Sequence, residues 1–207
     1  MPLQNRVDPF GAIFRTTARG TFMGNRGGAL HNDHRQIVRS HKGSRWITCL
    51  LEFKGRRRTV MTPNRYTELF FLDEAVSFAA GHRPCAECRR RRFDEFRQAW
   101  KSWSAPGSPE PIRVPEMDAL LHRSRIDRHG AKVTYEANLD TLPDATFVQI
   151  GDSAWLVWHD HLLLWTPEGY TKRQPRPGRL TATVLTPRPI VECFRTGYRP
   201  EVHSSAL

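Results

Sequence analysis

Long apolar runs are missing from this sequence: no stretch comes near the roughly 18 residues that a membrane-spanning helix needs. The first residues, Met1-Pro2-Leu3-Gln4-Asn5-Arg6, also lack the apolar segment of a secretory signal, so a cytoplasmic location is expected. Cysteine is scarce. Positions 49, 85, 88 and 193 are too few and too scattered for a disulfide scaffold. Acidic residues are short as well, 21 against 32 Lys and Arg, which leaves a formal net charge of +11. The shortage is uneven: residues 1–110 hold 20 basic and 10 acidic side chains, whereas residues 111–207 hold 12 and 11. One face of the first half is therefore expected to meet a polyanion. What is not scarce is core material. At 39% hydrophobic, 207 residues can bury an ordinary domain or two small ones, which excludes global disorder.

The densest chemistry lies in Gly81-His82-Arg83-Pro84-Cys85-Ala86-Glu87-Cys88 and the four arginines Arg89, Arg90, Arg91 and Arg92. A C-x-x-C turn lets both thiolates reach one tetrahedral ion at about 2.3 Å, the zinc–sulfur distance. In a reducing compartment the pair is a metal half-site, a redox pair or two packing cysteines. The metal half-site is preferred, because a redox motif should open the helix of a βαβ unit without a polyarginine neighbour. Four adjacent guanidinium groups suit phosphate. They also sit at a helix start, where the macrodipole disfavours cations.

Along the chain, residues 1–10 read as a loosely held arm, followed by short strands at 12–17 and 21–23. The glycine-rich loop from Gly24 to His31 offers N–H groups and Arg26 to a phosphate, or serves as a plain turn. Residues 32–44 are expected to form a basic surface loop. A buried strand over 46–53 returns over 57–61, with Lys54, Arg56, Arg57 and Arg58 at a basic tip. A strand over 66–72 leads into Asp73, a natural N-cap, and a short helix stopped by Gly81. Phe93, Phe96, Trp100 and Trp103 recur at helical steps, so 89–103 is a helix with one core-facing stripe. A helix over 115–125 places Asp118 and His122 on one face, as a general acid/base pair, metal ligands or an ordinary surface contact. Strands are expected at 145–150, 154–158, 161–165 and 180–185. A last helix opens at Thr186 and Pro187 and closes at Gly197, with Cys193 in the core. The expected fold class is α+β: a zinc-stabilised basic domain over 1–104, a Pro/Gly/Ser-rich linker over 105–114, and a β-rich domain over 115–207 packed against the first.

The run from Phe71-Leu72-Asp73-Glu74-Ala75 through Gly81-His82-Arg83-Pro84-Cys85-Ala86-Glu87-Cys88-Arg89 resembles the second half of the Ada-type metal-binding domain. It is also similar to small zinc modules attached to nucleases. That resemblance implies that Cys85 and Cys88 bind zinc, and that His82, where the family carries an aromatic, is a packing residue. In the nuclease-attached modules a histidine ending a strand adds a ligand, and Ala29-Leu30-His31 is similar to that strand end. The implied set is His31, Cys49, Cys85 and Cys88, with His34 or His41 as substitutes for Cys49 and Cys193 as its rival. Three functions follow as expectations. The first is a zinc-containing nucleic-acid-binding protein of DNA repair or processing, with DNA as partner, gripping phosphates through Arg26, Arg56, Arg57, Arg58, Arg89, Arg90, Arg91 and Arg92. The second is a metal-dependent nuclease or base-excision enzyme using Asp118, His122, Glu68 or Glu52. The third is a repair protein that accepts an alkyl group from a DNA phosphotriester on Cys49.

Overall fold

A computed structural model describes residues 1–56 and 59–207. The chain is α+β, with two six-stranded sheets and four helices among the described residues. The first sheet uses β1 (Gln4–Val7), β2 (Ile13–Arg15), β3 (Phe22–Asn25), β4 (Ile47–Cys49), β5 (Leu69–Phe71) and β6 (Arg83–Pro84), in the order β2-β1-β5-β3-β4-β6. Helix α1 (Glu74–Ala79) lies between β5 and β6, and α2 (Arg90–Ser104) and α3 (Val114–Arg125) follow. The second sheet uses β7 (Tyr135–Asn138), β8 (Phe147–Ile150), β9 (Ser153–Trp158), β10 (His161–Thr166), β11 (Gly169–Pro175) and β12 (Thr181–Val184), ordered β11-β10-β9-β8-β12-β7. Helix α4 (Arg188–Arg195) ends the regular structure. None of these helices is long and apolar enough to cross a membrane.

The first sheet is pinned by close backbone approaches. A Cβ at Gly24 would meet the carbonyl oxygen of Ile47 at 2.3 Å, so only glycine lets β3 lie against β4 in this register. In the second sheet the two-residue period sorts neighbours to opposite faces: Leu156 joins the main core while Val157 joins a smaller cluster with Val148, Leu162 and Val184. The main core is shared by both halves of the chain. It takes Ala75, Val76 and Phe78 from α1, Phe93, Phe96 and Trp100 from α2, Met117 and Leu121 from α3, and Ile190 and Phe194 from α4.

Several local expectations are corrected. Residues 4–7, read as part of an arm, form β1, which pairs with β2 and, in parallel, with β5. Of the return strand expected over 57–61, Arg57 and Arg58 lie outside the described residues, and 59–61 is not strand. Thr186 does not cap α4. Its hydroxyl instead accepts from the N–H of Phe147, and Pro187 occupies the cap position.

Helix α1 is buried along its whole length and is closed at its N-terminus by the segment after α4. The Asp73 carboxylate accepts from the Val76 N–H at 2.8 Å, as an N-cap should, and also from the Tyr170 hydroxyl (2.7 Å) and the His203 N–H (2.9 Å). Glu74, fully buried, pairs with Arg89 at 2.7 Å and Arg92 at 2.9 Å. It accepts as well from the Tyr198 hydroxyl (2.6 Å) and the Glu201 N–H (2.8 Å). One carboxylate thus holds the start of α2 and the chain after α4 against α1. Truncating Glu74 removes the buried anion that Arg89 and Arg92 share and leaves them only carboxylates nearer the solvent, so Glu74→Ala should lower the unfolding free energy by about 3–5 kcal/mol in urea titration. A loss under about 1 kcal/mol would show that the network is not holding these elements.

Candidate metal centre

Three of the four cysteines converge. Strand β4 ends at Cys49; β6 pairs with it in parallel, Thr48 opposite Pro84, and the Cys85 N–H donates to the Thr48 carbonyl at 2.9 Å. The turn after β6 then brings Cys88 back, and the Sγ atoms of Cys49, Cys85 and Cys88 all lie within 4.8 Å of one another. Such a group can bind a metal ion. The backbone is arranged for sulfur anions: the Glu87 N–H points to the Cys85 sulfur at 3.4 Å, and the Leu50 N–H to that of Cys88. Met23, Ile47 and Phe70 wall the thiols on the apolar side. Among the thiols themselves, hydrogen bonds from Cys49 and Cys88 push the Cys85 pKa down. The same bonds, made first with Cys85, push Cys49 up.

Above the sulfurs is a cavity of about 180 Å³, lined also by Asn25, Leu50, Leu51, Tyr66, Arg56 and Glu87. Leu50 and Leu51 are 38% and 48% exposed at its edge. The Glu87 carboxylate is held by Arg56 at 2.6 Å. Among the described residues no histidine or carboxylate joins the three thiols.

His31 is therefore placed elsewhere. Its Nδ1 contacts the Thr67 hydroxyl at 2.6 Å and its Nε2 contacts the Thr62 carbonyl at 3.2 Å, which uses both ring nitrogens. His34 is exposed and His41 packs on Trp46, while Cys193 is enclosed in the main core. Cys49 is the cysteine that meets Cys85 and Cys88.

The arginines do something other than their sequence suggests. Arg26 is only 2% exposed and stacks on Trp46 at 4.3 Å. It donates to the carbonyls of Gly11 and Ser40 and to His82, so it cannot reach a phosphate. Arg89 and Arg92 serve Glu74, and both also pair with Glu201. Arg90 and Arg91 are exposed and pair one turn along with Asp94 and Glu95, which also offsets their unfavourable place at the helix start. Arg56 holds Glu87 at the cavity.

The expected catalytic trio does not assemble. Asp118 is buried and receives Arg83 in a two-pronged pair, 2.7 and 2.8 Å. Glu68 is buried and accepts from the Met61 N–H. His122 receives Arg125 on Nδ1 and lies 5.2 Å from the His41 ring. Glu52 is exposed.

What the sequence did not announce is a second cationic centre. Trp46 carries Arg26 on its ring and Arg125 at 3.9 Å, with His82, His41 and His122 around it. Neither arginine has a carboxylate ion pair among the described residues, and burial lowers each guanidinium to about 9. Burial lowers Lys132 to about 7 beside Arg26. The Arg125 side chain reaches the Gly81 carbonyl and that of Ser44, fastening the β3–β4 loop to α3. Gly81 itself has φ +84°, and a Cβ there would strike the Arg125 side chain at 2.5 Å. No protein family, curated protein or solved structure matches this chain.

Two outcomes follow. Asp118→Asn should destabilise the fold by about 3 kcal/mol or more, because a buried guanidinium loses its charged partner, and this is read by denaturant titration. The second concerns acid. Burial first, then Arg26 and Arg125, hold the His82 pKa well below the ordinary value, and His41 and His122 shift the same way. Unfolded imidazoles take up protons near pH 6.5 while these do not, so the unfolded state gains protons and stability falls as pH drops through that value. Denaturant midpoints should decline from pH 7.5 to 5.5, and His82→Gln should flatten the decline. A slope identical in both proteins would remove His82 as its source.

Proposed function

We propose that this is a zinc-containing nucleic-acid-binding protein of DNA repair or processing, with zinc held by Cys49, Cys85 and Cys88. The resemblance of residues 71–89 to Ada-type and nuclease-attached modules supports zinc as the metal, as does the preference of a thiolate trio for that ion over magnesium or calcium. The observation that carries the nucleic-acid half is a set of cations without partners. Arg35, Arg39, Lys42 and Arg45 are all exposed on the β3–β4 loop, and none has an ion pair among the described residues. Arg123, exposed on α3, has no ion pair among the described residues either. A solvated surface normally interleaves both signs; here the loop carries one exposed carboxylate, Asp33, against four cations, while Asp118, Glu74, Asp94 and Glu95 are spent on Arg83, Arg89, Arg90, Arg91 and Arg92.

The two strands flanking this loop are the ones beside the metal thiols, Met23 on β3 lying opposite Cys49 on β4. A cation bound there would fix the base of the loop and spare the entropy of ordering it on the polyanion. DNA is the expected polymer, bound mainly through its phosphates.

Elemental analysis of protein purified without chelators should return one zinc per chain, and Cys85→Ser should lose it. Anisotropy with labelled duplex and single-stranded DNA should show affinity falling steeply with salt. Arg39→Glu with Arg45→Glu should weaken binding by roughly tenfold or more and reduce the salt slope by about two. Arg90→Ala with Arg91→Ala should change it little. Equal losses from both pairs, or none from the first, would refute this assignment of the surface.

A further inference from the structure

We infer that the metal centre leaves its fourth coordination position to a donor from solution, and that the cavity above it is a site for a small, apolar-bodied thiol. The inference rests on the zinc reading above. A tetrahedral ion needs four donors, and the described histidine, cysteine and carboxylate side chains supply three. The one carboxylate in the cavity wall, Glu87, is drawn aside by Arg56. Closed structural sites fill all four positions from the chain, whereas a site with three protein ligands and an adjoining cavity exchanges its fourth.

The class of donor follows from the walls. About 180 Å³ is several times the roughly 30 Å³ a water molecule occupies, so the cavity has room for more than solvent at the ion. Ile47, Leu50, Leu51 and Phe53 line it, and the two leucines are exposed beside the metal-binding Cys49, where nothing in the fold rewards their exposure. An apolar body on the incoming ligand would cover them. Three thiolates make the ion soft, and a fourth sulfur matches it better than oxygen. The site then carries excess negative charge, and the Arg56–Glu87 pair stands on the cavity wall beside it. On binding, the thiol gives its proton to solvent, its sulfur forms the fourth bond, and the water at that position leaves.

Cobalt(II) tests this, because its absorption reports the number of coordinating sulfurs. The full chain is loaded with cobalt under anaerobic conditions and titrated with benzyl mercaptan, with benzyl alcohol as control. The expected result is a saturable change from a three-sulfur to a four-sulfur spectrum, with cobalt still bound one to one after dialysis. Leu51→Asp, at an exposed position, should weaken the thiol by about tenfold while leaving cobalt stoichiometry unchanged, as expected for loss of roughly 1.4 kcal/mol of apolar contact. Cobalt bound with a spectrum that the thiol does not move overturns the inference alone. So does a changed spectrum in thiol-free Glu87→Gln, which would make Glu87 the fourth ligand. Failure to bind cobalt or zinc at all overturns the metal reading and this inference with it.

Discussion

The parallel pairing of β4 with β6 is the constraint on which the centre depends. Its register, Ile47 with Arg83 and Thr48 with Pro84, sets a residue from the first strand-rich segment beside a turn that follows α1. A slip by one residue would turn Cys49 to the other face of the sheet. The register is enforced from several sides: the Cys85 N–H reaches Thr48, the Arg83 N–H reaches Trp46, and the Thr48 hydroxyl donates to Ser77 on α1. The side chain of Arg83, stretched to Asp118, ties the same short strand to α3. A two-residue strand has little pairing energy of its own, so these surrounding bonds are what hold the cysteines together.

Three populations of positive charge have different physics. Arg83, Arg89 and Arg92 are structural, each matched to a carboxylate, and desolvated pairs of this kind hold elements in a defined arrangement more than they add stability. Arg26 and Arg125 are buried on an indole and donate to carbonyls and neutral imidazoles, the Arg125 Nε–H having no partner among the described residues, which is why His82 must remain uncharged. The cations of the β3–β4 loop are left to the solvent. This last group retains an uncompensated field at the surface, as do the exposed Arg15, Arg19 and Arg65, which also lack an ion pair among the described residues.

Much of the local structure was legible. The C-x-x-C turn, the Asp73 cap, the aromatic stripe of α2 and the strands β8 to β10 follow from short-range periodicity and spacing, and each occurs close to where those rules place it. What was illegible is long-range. Nothing within 89–92 says that two of its arginines turn inward, because their partners Glu74 and Glu201 are distant in the chain. Asp118 and His122 share a helical face, yet each is claimed by an arginine from a different direction. Strand β11 escaped notice because an edge strand carrying Lys172 and Arg173 has no need of an apolar alternation. His31 ends a strand-like stretch, as the resemblance requires, but Thr67 and Thr62 occupy its nitrogens.

Residues 198–206 close the roof of α1 from far along the chain. Asp73 and Glu74 begin the most deeply enclosed helix, and the groups that satisfy them, Tyr170, Tyr198, Glu201 and His203, lie 97 to 130 residues further on. Until those residues dock, α1 can form a turn but has no roof, and its acidic start faces the arginines alone. On its own the first half is therefore partly open and sticky. A protein built this way folds as one cooperative unit rather than piece by piece.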